Sequence, residues 1–456
     1  MAVVIAGERS GVGKTTVTLA LLAALRHRGQ VVQSFKVGPD YIDPMFHSYI
    51  TGRPCRNLDP VLTSEGYVRN CFAQNGQTAD CVLIEGVMGL FDGASGTDDT
   101  ASTAHIARLL NCPVLLILNC SSTSRSIAAI AHGYRTFDPR VKIAGVILNR
   151  VGSERHLEFL TQALEPLHLP ILGVLRRQAD ITLPDRHLGL VPTAELHQLD
   201  TIIERLAYVG ETGFDWETLL PLLSAKPIAT DCGENVIEPQ GLNVRLAIAQ
   251  DEAFSFYYAD NLDILRWLGA ELIPWSPLRD RALPPAIHGL YFGGGFPEMF
   301  AAQLADNQPV RGAVKAATQS GMPTYAECGG LMYLCDHIED FGQNSYEMVG
   351  ILPTTAQMGQ RLTLGYRQAT ALQDSCLVRK DDRIWGHEFH RSTLASESEQ
   401  SLFALQGYET QRSFRPEGWR IHQVHASYVH LHFGAQSSLA QRFLEHCAAN
   451  AQQFPR

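Results

Sequence analysis

An apolar strand that runs into a glycine loop and then a helix constrains this chain most. Val3-Val4-Ile5-Ala6-Gly7 is followed by Glu-Arg-Ser-Gly-Val and then by Gly13-Lys14-Thr15-Thr16. Such a junction presents backbone N–H groups and a helix N-terminus to an anion. Gly11, Gly13 and Thr16 belong to this ATP-binding loop, Lys14 is placed to reach the β- and γ-phosphates, and the Thr15 hydroxyl is placed to hold Mg²⁺. Five residues rather than four separate Gly7 from Gly13, so the loop is a lengthened variant of the usual spacing.

The surrounding pattern predicts an α/β, doubly wound domain. Candidate strands Ala2–Ala6, Val31–Val37, Cys81–Glu85, Val114–Asn119, Ile143–Asn149 and Ile171–Val174 are apolar without polar alternation. That suits parallel strands covered on both faces. Amphipathic stretches separate them at Thr15–Arg26, Thr100–Leu110, Ser126–Thr136 and Arg155–Leu167. Composition shifts to turn-forming residues around 225–242, and alternation restarts with a strand at Val244–Ala249, a helix at Tyr257–Leu268, strands at Glu271–Pro274 and Gly289–Phe292, and a helix from Glu298. We therefore expect an ATP-binding domain over 1–228, a linker over 229–242 and a second doubly wound domain over 243–456.

A length of 456 residues suits two or three cores. With 37 basic against 47 acidic residues the formal charge is -10, which argues against a nucleic-acid surface but leaves room for a local basic pocket. No apolar run reaches the length of a membrane span. Met1 leads directly into a strand, so no leader is expected. The ten cysteines form no Cys-x-x-Cys pair, which reads as reduced thiols and a cytoplasmic setting.

Ligands bind at the carboxyl ends of such strands. Strand two ends in Phe35-Lys36-Val-Gly-Pro-Asp40-Tyr41-Ile-Asp43-Pro-Met-Phe-His47, and a later strand in Leu83-Ile84-Glu85-Gly86-Val-Met-Gly-Leu-Phe-Asp92-Gly. Lys36, Asp40, Tyr41 and Asp92 are candidates for carboxylate and phosphate activation, and Thr15, Asp40 and Glu85 for Mg²⁺. These runs resemble the dethiobiotin synthetase branch of P-loop enzymes and, within it, the cobyrinate a,c-diamide synthase family. By that resemblance Asn149, in Val-Ile-Leu-Asn149-Arg150, is similar to an asparagine that reads adenine.

The second domain carries Gly321-Met-Pro-Thr-Tyr-Ala-Glu-Cys328-Gly329-Gly330, again strand, sharp turn and helix. A helix N-terminus favours the thiolate of Cys328, and a histidine is the expected base. The late run His425-Ala-Ser-Tyr-Val-His430-Leu-His432 supplies candidates. The glycines Gly293, Gly294 and Gly295, after a strand, supply N–H donors for an oxyanion. Together these resemble a class I glutamine amidotransferase domain of the cobyrinate and cobyrate synthase type. The runs Ala249 to Leu262 and Trp385-Gly-His-Glu-Phe-His390 extend the likeness. His430 matches the family's Tyr-x-His pattern as base. Common class I enzymes carry Glu two residues later, whereas His432 stands there, so a Cys–His dyad is expected and the role of His432 stays open. The paired histidines also suggest zinc, but spacing alone is weak without a cysteine pair.

The resemblance implies ATP-dependent amidation of the a and c acetates of cobyrinic acid through acyl phosphates, with L-glutamine as nitrogen donor. Hydrogenobyrinic acid or nickel-sirohydrochlorin would serve the same motifs. Cobyrate synthase shares the architecture, but the Gly-Pro-Asp-Tyr-Ile-Asp-Pro run points away from it. A MinD/ParA-like ATPase switch is the rival of another class; it has no use for Cys328 or the glycine run. No membrane partner is expected, and a homodimer is left open.

Overall fold

The computed structural model describes residues 2–177, 184–186, 189–196, 198–224, 241–408 and 414–453. Most of the expected linker, up to residue 240, lies outside the described residues. The chain divides into two compact units: Met1–Pro60 with Ser64–Gly233, and Glu234–Arg456 with Val61–Thr63.

In the first unit seven strands form one sheet. Their spatial order is Arg56–Leu58, Val32–Val37, Cys81–Glu85, Ala2–Gly7, Val114–Asn119, Ile143–Val151 and Ile171–Arg176. Every neighbouring pair is parallel. Ala2–Gly7 is buried along its whole length, as a Val- and Ile-rich strand covered on both faces must be. Helix Lys14–His27 follows it and buries Val17 and Leu19 through Leu25. Serine hydroxyls start three further helices: Ser64 accepts from Tyr67 N, Ser102 from His105 N and Ser153 from His156 N, each satisfying a donor that the helix leaves open. Ala2–Gly7 and Cys81–Glu85 lie side by side, yet the connections that leave them run to opposite sides of the sheet. A crevice opens at such a switch point.

The second unit is also α/β but contains more than the sequence predicts. Its six-stranded sheet runs Ala270–Trp275, Val244–Ala249, Gly289–Phe292, Thr324–Glu327, Val424–Ser427 and Trp419–Ile421; only the last pairing is antiparallel. A further seven-stranded sheet is built on the antiparallel pairing of Leu352–Ala371 with Arg383–Leu394. The short strand His430–Leu431 joins its edge, opposing His430 to His387. One sheet thus carries the cysteine elbow and the other carries the histidine. Among the described residues no helix is long and apolar enough to cross a membrane, and the described cysteines are buried free thiols.

Candidate active sites

In the first unit the phosphate loop begins at the end of its strand, where Gly7 O accepts Leu90 N–H. Gly13 caps the helix in the left-handed region (φ 94°), and a side chain there would collide with Asn149 Nδ2. Asn149 braces the loop from that side: Nδ2 donates to Val12 O at 2.7 Å and Oδ1 accepts Arg150 N–H at 2.9 Å. Gly11 O accepts from Arg150 Nη2 at 3.2 Å, and Thr16 lies half-buried in the first helical turn. Lys14 Nζ donates to the carbonyls of Met88 and, at 3.5 Å, Arg9. Burial, reinforced by the Lys36 ammonium, lowers Lys14 to about 8. A desolvated cation that rests on carbonyls is ready to exchange them for phosphate oxygens.

Beside it, Lys36 is almost wholly enclosed and sits 2.5 Å from Asp43 Oδ2, 2.9 Å from Glu85 Oε1 and 3.7 Å from Asp40 Oδ2. Burial opposes its charge, but the three carboxylates outweigh that and hold Lys36 well above the usual lysine value. Thr15 Oγ1 donates to Glu85 Oε1 at 2.8 Å and reaches Asp43 Oδ2 at 3.2 Å. Asp43 Oδ2 contacts both Thr15 and Lys36, whereas Asp40 Oδ2 lies further out, 3.7 Å from Lys36 Nζ. Asp40 is partly exposed, and its Oδ1 accepts Ile42 N–H and Asp43 N–H at the start of the next helix. That is the turn chemistry an Asp before a helix favours. Tyr41 is buried at the cap of the same helix. Asp92 Oδ2 accepts Gly89 N–H at 2.8 Å, shaping the loop on which Lys14 rests.

His47 was missed by the sequence reasoning. Its Nε2 lies 2.7 Å from Glu85 Oε2 and its Nδ1 3.4 Å from Cys55 Sγ. Asp43 and His47 share helix Ile42–Thr51 at a spacing of one turn, which puts both on the face toward Lys36 and Glu85. That spacing was legible in the motif. Burial alone would raise Glu85, but Lys36 and His47 outweigh it and hold the carboxylate well below its usual range.

In the second unit Cys328 sits between strand Thr324–Glu327 and helix Gly329–Leu334 with φ 46° and ψ -101°. This is a left-handed position for a residue other than glycine, and such strain collects at functional turns. Cys328 N–H donates to Ser427 O at 2.8 Å, pinning the elbow to the neighbouring strand. The expected thiolate-favouring field is not what dominates. The helix has only six residues, and burial, with Glu298 nearby, pushes the thiol up. A base must therefore take its proton during attack.

His430 is that candidate. A Cβ added to Gly294 would lie 2.5 Å from His430 Cε1 and 3.4 Å from Nε2, so the ring packs directly against the glycine run. Of the three glycines, Gly293 is already engaged: its N–H donates to Tyr257 Oη at 2.8 Å, and Tyr257 in turn donates to Ala249 O. The Gly294 carbonyl accepts Ser255 and Phe256 N–H. Gly295 N lies 3.0 Å from where a Cβ on Gly329 would be, beside the elbow. Geometry thus narrows the expected oxyanion donors toward Gly295. The segment Trp385–His390 lies on strand Arg383–Leu394, where Glu388 is buried and bound by Arg367 Nε at 2.6 Å and Arg415 Nη2 at 2.5 Å. Burial would raise Glu388, but His390 and the two arginines outweigh it and take it down to about 2.

A phosphate loop at a sheet's switch point, and a strained cysteine elbow abutting a glycine run against which a buried histidine packs, define a P-loop nucleotide-binding unit joined to a glutamine amidotransferase unit. Residues 3–191 match the CobQ/CobB/MinD/ParA nucleotide binding domain, and residues 245–438 the CobB/CobQ-like glutamine amidotransferase domain. The chain is 62% identical over 449 residues to the cobyrinate a,c-diamide synthase of Synechococcus sp., covering 98% of each. It is 53% identical over 452 residues to that of Synechocystis sp., covering 98% of this chain and 94% of the relative. A hydrogenobyrinate a,c-diamide synthase of Streptomyces coelicolor is 42% identical over 480 residues, covering 97% of each. The chain belongs to the cobyrinate a,c-diamide synthase family.

Proposed function

We propose that this chain amidates the a and c acetate carboxylates of cobyrinic acid in cobalamin biosynthesis, using ATP and glutamine. The 62% identity that spans 98% of this chain and of its Synechococcus relative carries the reading. In the first unit, an acetate oxygen attacks the γ-phosphorus of ATP, ADP leaves, and an acyl phosphate forms. A carboxylate is a poor electrophile, and the phosphoryl group turns its oxygen into a leaving group. Lys14 and Lys36 offset the charge of the phosphoryl group in flight. Asn149 keeps one amide hydrogen and one oxygen lone pair beyond its two loop bonds, which supports a contact with the adenine edge.

The donor set at this site fits Mg²⁺. Asp40, Asp43 and Glu85 converge on the single ammonium of Lys36, and burial with the Asp40 charge raises Asp43 to about 7. His47 Nε2, 2.7 Å from Glu85 Oε2, faces the same carboxylate from the other side. Among the described residues no cluster of three or more His, Cys, Asp or Glu side chains forms a metal cage. Mg²⁺ needs none, because it keeps waters and takes phosphate oxygens. Thr15, Asp43 and Glu85 would hold it, and it would supply charge neutralisation across the β- and γ-phosphates.

In the second unit His430 takes the Cys328 proton as Sγ attacks the carboxamide carbon of glutamine. The Gly295 N–H receives the developing oxyanion. The proton passes to the departing nitrogen, ammonia leaves, and water hydrolyses the thioester to glutamate. Ammonia then attacks the acyl phosphate and displaces inorganic phosphate. Mass spectrometry of tetrapyrroles incubated with the enzyme, MgATP and glutamine tests the reading. Two successive OH-to-NH₂ replacements on cobyrinic acid are expected. Amidation confined to hydrogenobyrinic acid or to a nickel tetrapyrrole would overturn the cobalt-corrinoid assignment.

A further inference from the structure

Class I amidotransferases orient their catalytic histidine with a carboxylate two residues further on, and this chain has His432 there. His432 Nδ1 accepts Gly434 N–H at 3.1 Å, so its ring hydrogen is on Nε2, which faces Asp260 Oδ2 at 3.5 Å. The ring also leans on Tyr258, with centroids 4.8 Å apart. These contacts tie His432 to its own turn and to Asp260.

We propose that Glu327, the residue immediately before the nucleophile, is the positioning carboxylate for His430. The inference rests on the reading of Cys328 and His430 as nucleophile and base. Glu327 is 1% exposed, and its Oε2 lies 3.7 Å from His430 Nδ1. Its other contacts fix it in place. Oε1 accepts Leu431 N–H at 3.0 Å and the Tyr325 hydroxyl, and Oε2 accepts the Tyr291 hydroxyl at 3.3 Å. One carboxylate therefore holds the backbone just after His430 and faces the His430 ring as well. A separation slightly beyond hydrogen-bond length is common in ligand-free catalytic pairs, which tighten when substrate is bound.

The arrangement also sets the direction of the base. With Nδ1 toward Glu327, the Cε1–Nε2 edge of His430 lies against Gly294, in the glycine run whose next residue abuts the Cys328–Gly329 turn. Glu327 and Cys328 are consecutive at the end of one buried strand, so the nucleophile and the group that orients its base share a rigid support. A buried imidazolium formed when His430 takes the thiol proton is stabilised by a carboxylate at this distance. His387, paired with His430 across the sheet, is pushed down to about 3 by burial and next by His430, which leaves it neutral.

Glu327→Gln is the discriminating variant, because a glutamine still offers an oxygen to Leu431 N–H but carries no charge. Glutamine-dependent kcat is expected to fall by roughly 10²- to 10⁴-fold, with KM for glutamine little changed and ammonium-dependent synthesis retained. Glu327→Asp, which restores the charge, should recover much of the lost kcat. A merely structural peg predicts wild-type kcat in Glu327→Gln, and that result overturns the inference. As a measurement independent of the variant's folding, nitrogen NMR of histidine-labelled wild-type enzyme should show neutral His430 protonated on Nδ1; protonation on Nε2 overturns the inference too. Glutamine-dependent activity surviving in Cys328→Ser would remove the glutaminase reading itself, whereas its loss there beside full activity in Glu327→Gln would remove only the role of Glu327.

Discussion

Cys328→Ser is expected to lower glutamine-dependent amidation by at least about 10³-fold, while synthesis from high ammonium persists. The reason lies in the environment of the thiol. Burial, with the carboxylates Glu298 and Glu327 close by, pushes Cys328 up, so little thiolate stands ready and attack depends on proton removal in the same step. A serine hydroxyl is a much weaker acid than a thiol and a poorer nucleophile toward the carboxamide. The substitution is nearly isosteric and leaves the bond from Cys328 N–H to Ser427 O intact, so the elbow should keep its shape. Steady-state assays with each nitrogen donor check this. Equal loss with both donors would mean that the cysteine supports the fold rather than the nitrogen transfer.

Lys36→Met should abolish synthesis with either donor and destabilise the first unit by about 3–5 kcal/mol, the usual cost of removing one partner from a buried ion pair. The side chain is 3% exposed and stands between Asp43, Glu85 and Asp40. Methionine fills the volume but leaves two buried carboxylates without their cation. Glu85 retains His47, whereas Asp43 retains chiefly the Thr15 hydroxyl. The loss should appear as a lowered first thermal transition, with glutamine hydrolysis by the second unit still measurable. A variant that unfolds like wild type and still amidates would show that the carboxylates do not depend on Lys36.

Local pattern carried the parallel sheets well. Val114–Asn119 and Cys81–Glu85 match their expected bounds, because continuous apolar runs between helices are what a strand covered on both faces requires. The second sheet of the C-terminal unit was not legible. Strand Leu352–Ala371 is half-exposed, rich in Gln, Thr and Arg, and interrupted in register between Met358 and Thr363. Its partners are its sequence neighbours, Cys335–Glu339, Arg383–Leu394 and Phe403–Gly407, but its polar composition and broken register leave neither an apolar run nor clean alternation to mark it.

The sites show the same division. Motif position named Thr15, Lys36 and Glu85, the first two in contact with the third, and it named His430 and the glycine run against which that ring packs. It does not separate Asp40 from Asp43, two neighbouring candidates that differ in which of them the helix start claims as a cap. It could not foresee that Tyr257 takes the Gly293 N–H, a contact made by a strand bridge between Phe256 and Gly294. Glu327 was written in the cysteine motif, and its signal was a carboxylate at the last position of a wholly buried strand.

The most direct test follows the nitrogen itself. The enzyme is supplied with glutamine labelled with ¹⁵N in its amide, unlabelled ammonium at equal concentration, MgATP and the corrinoid, and product amides and ADP are measured together. The account predicts that both new amides carry predominantly ¹⁵N and that one ADP appears for each amide formed. Amides of unlabelled nitrogen, or ADP released with no amide gained, would contradict it.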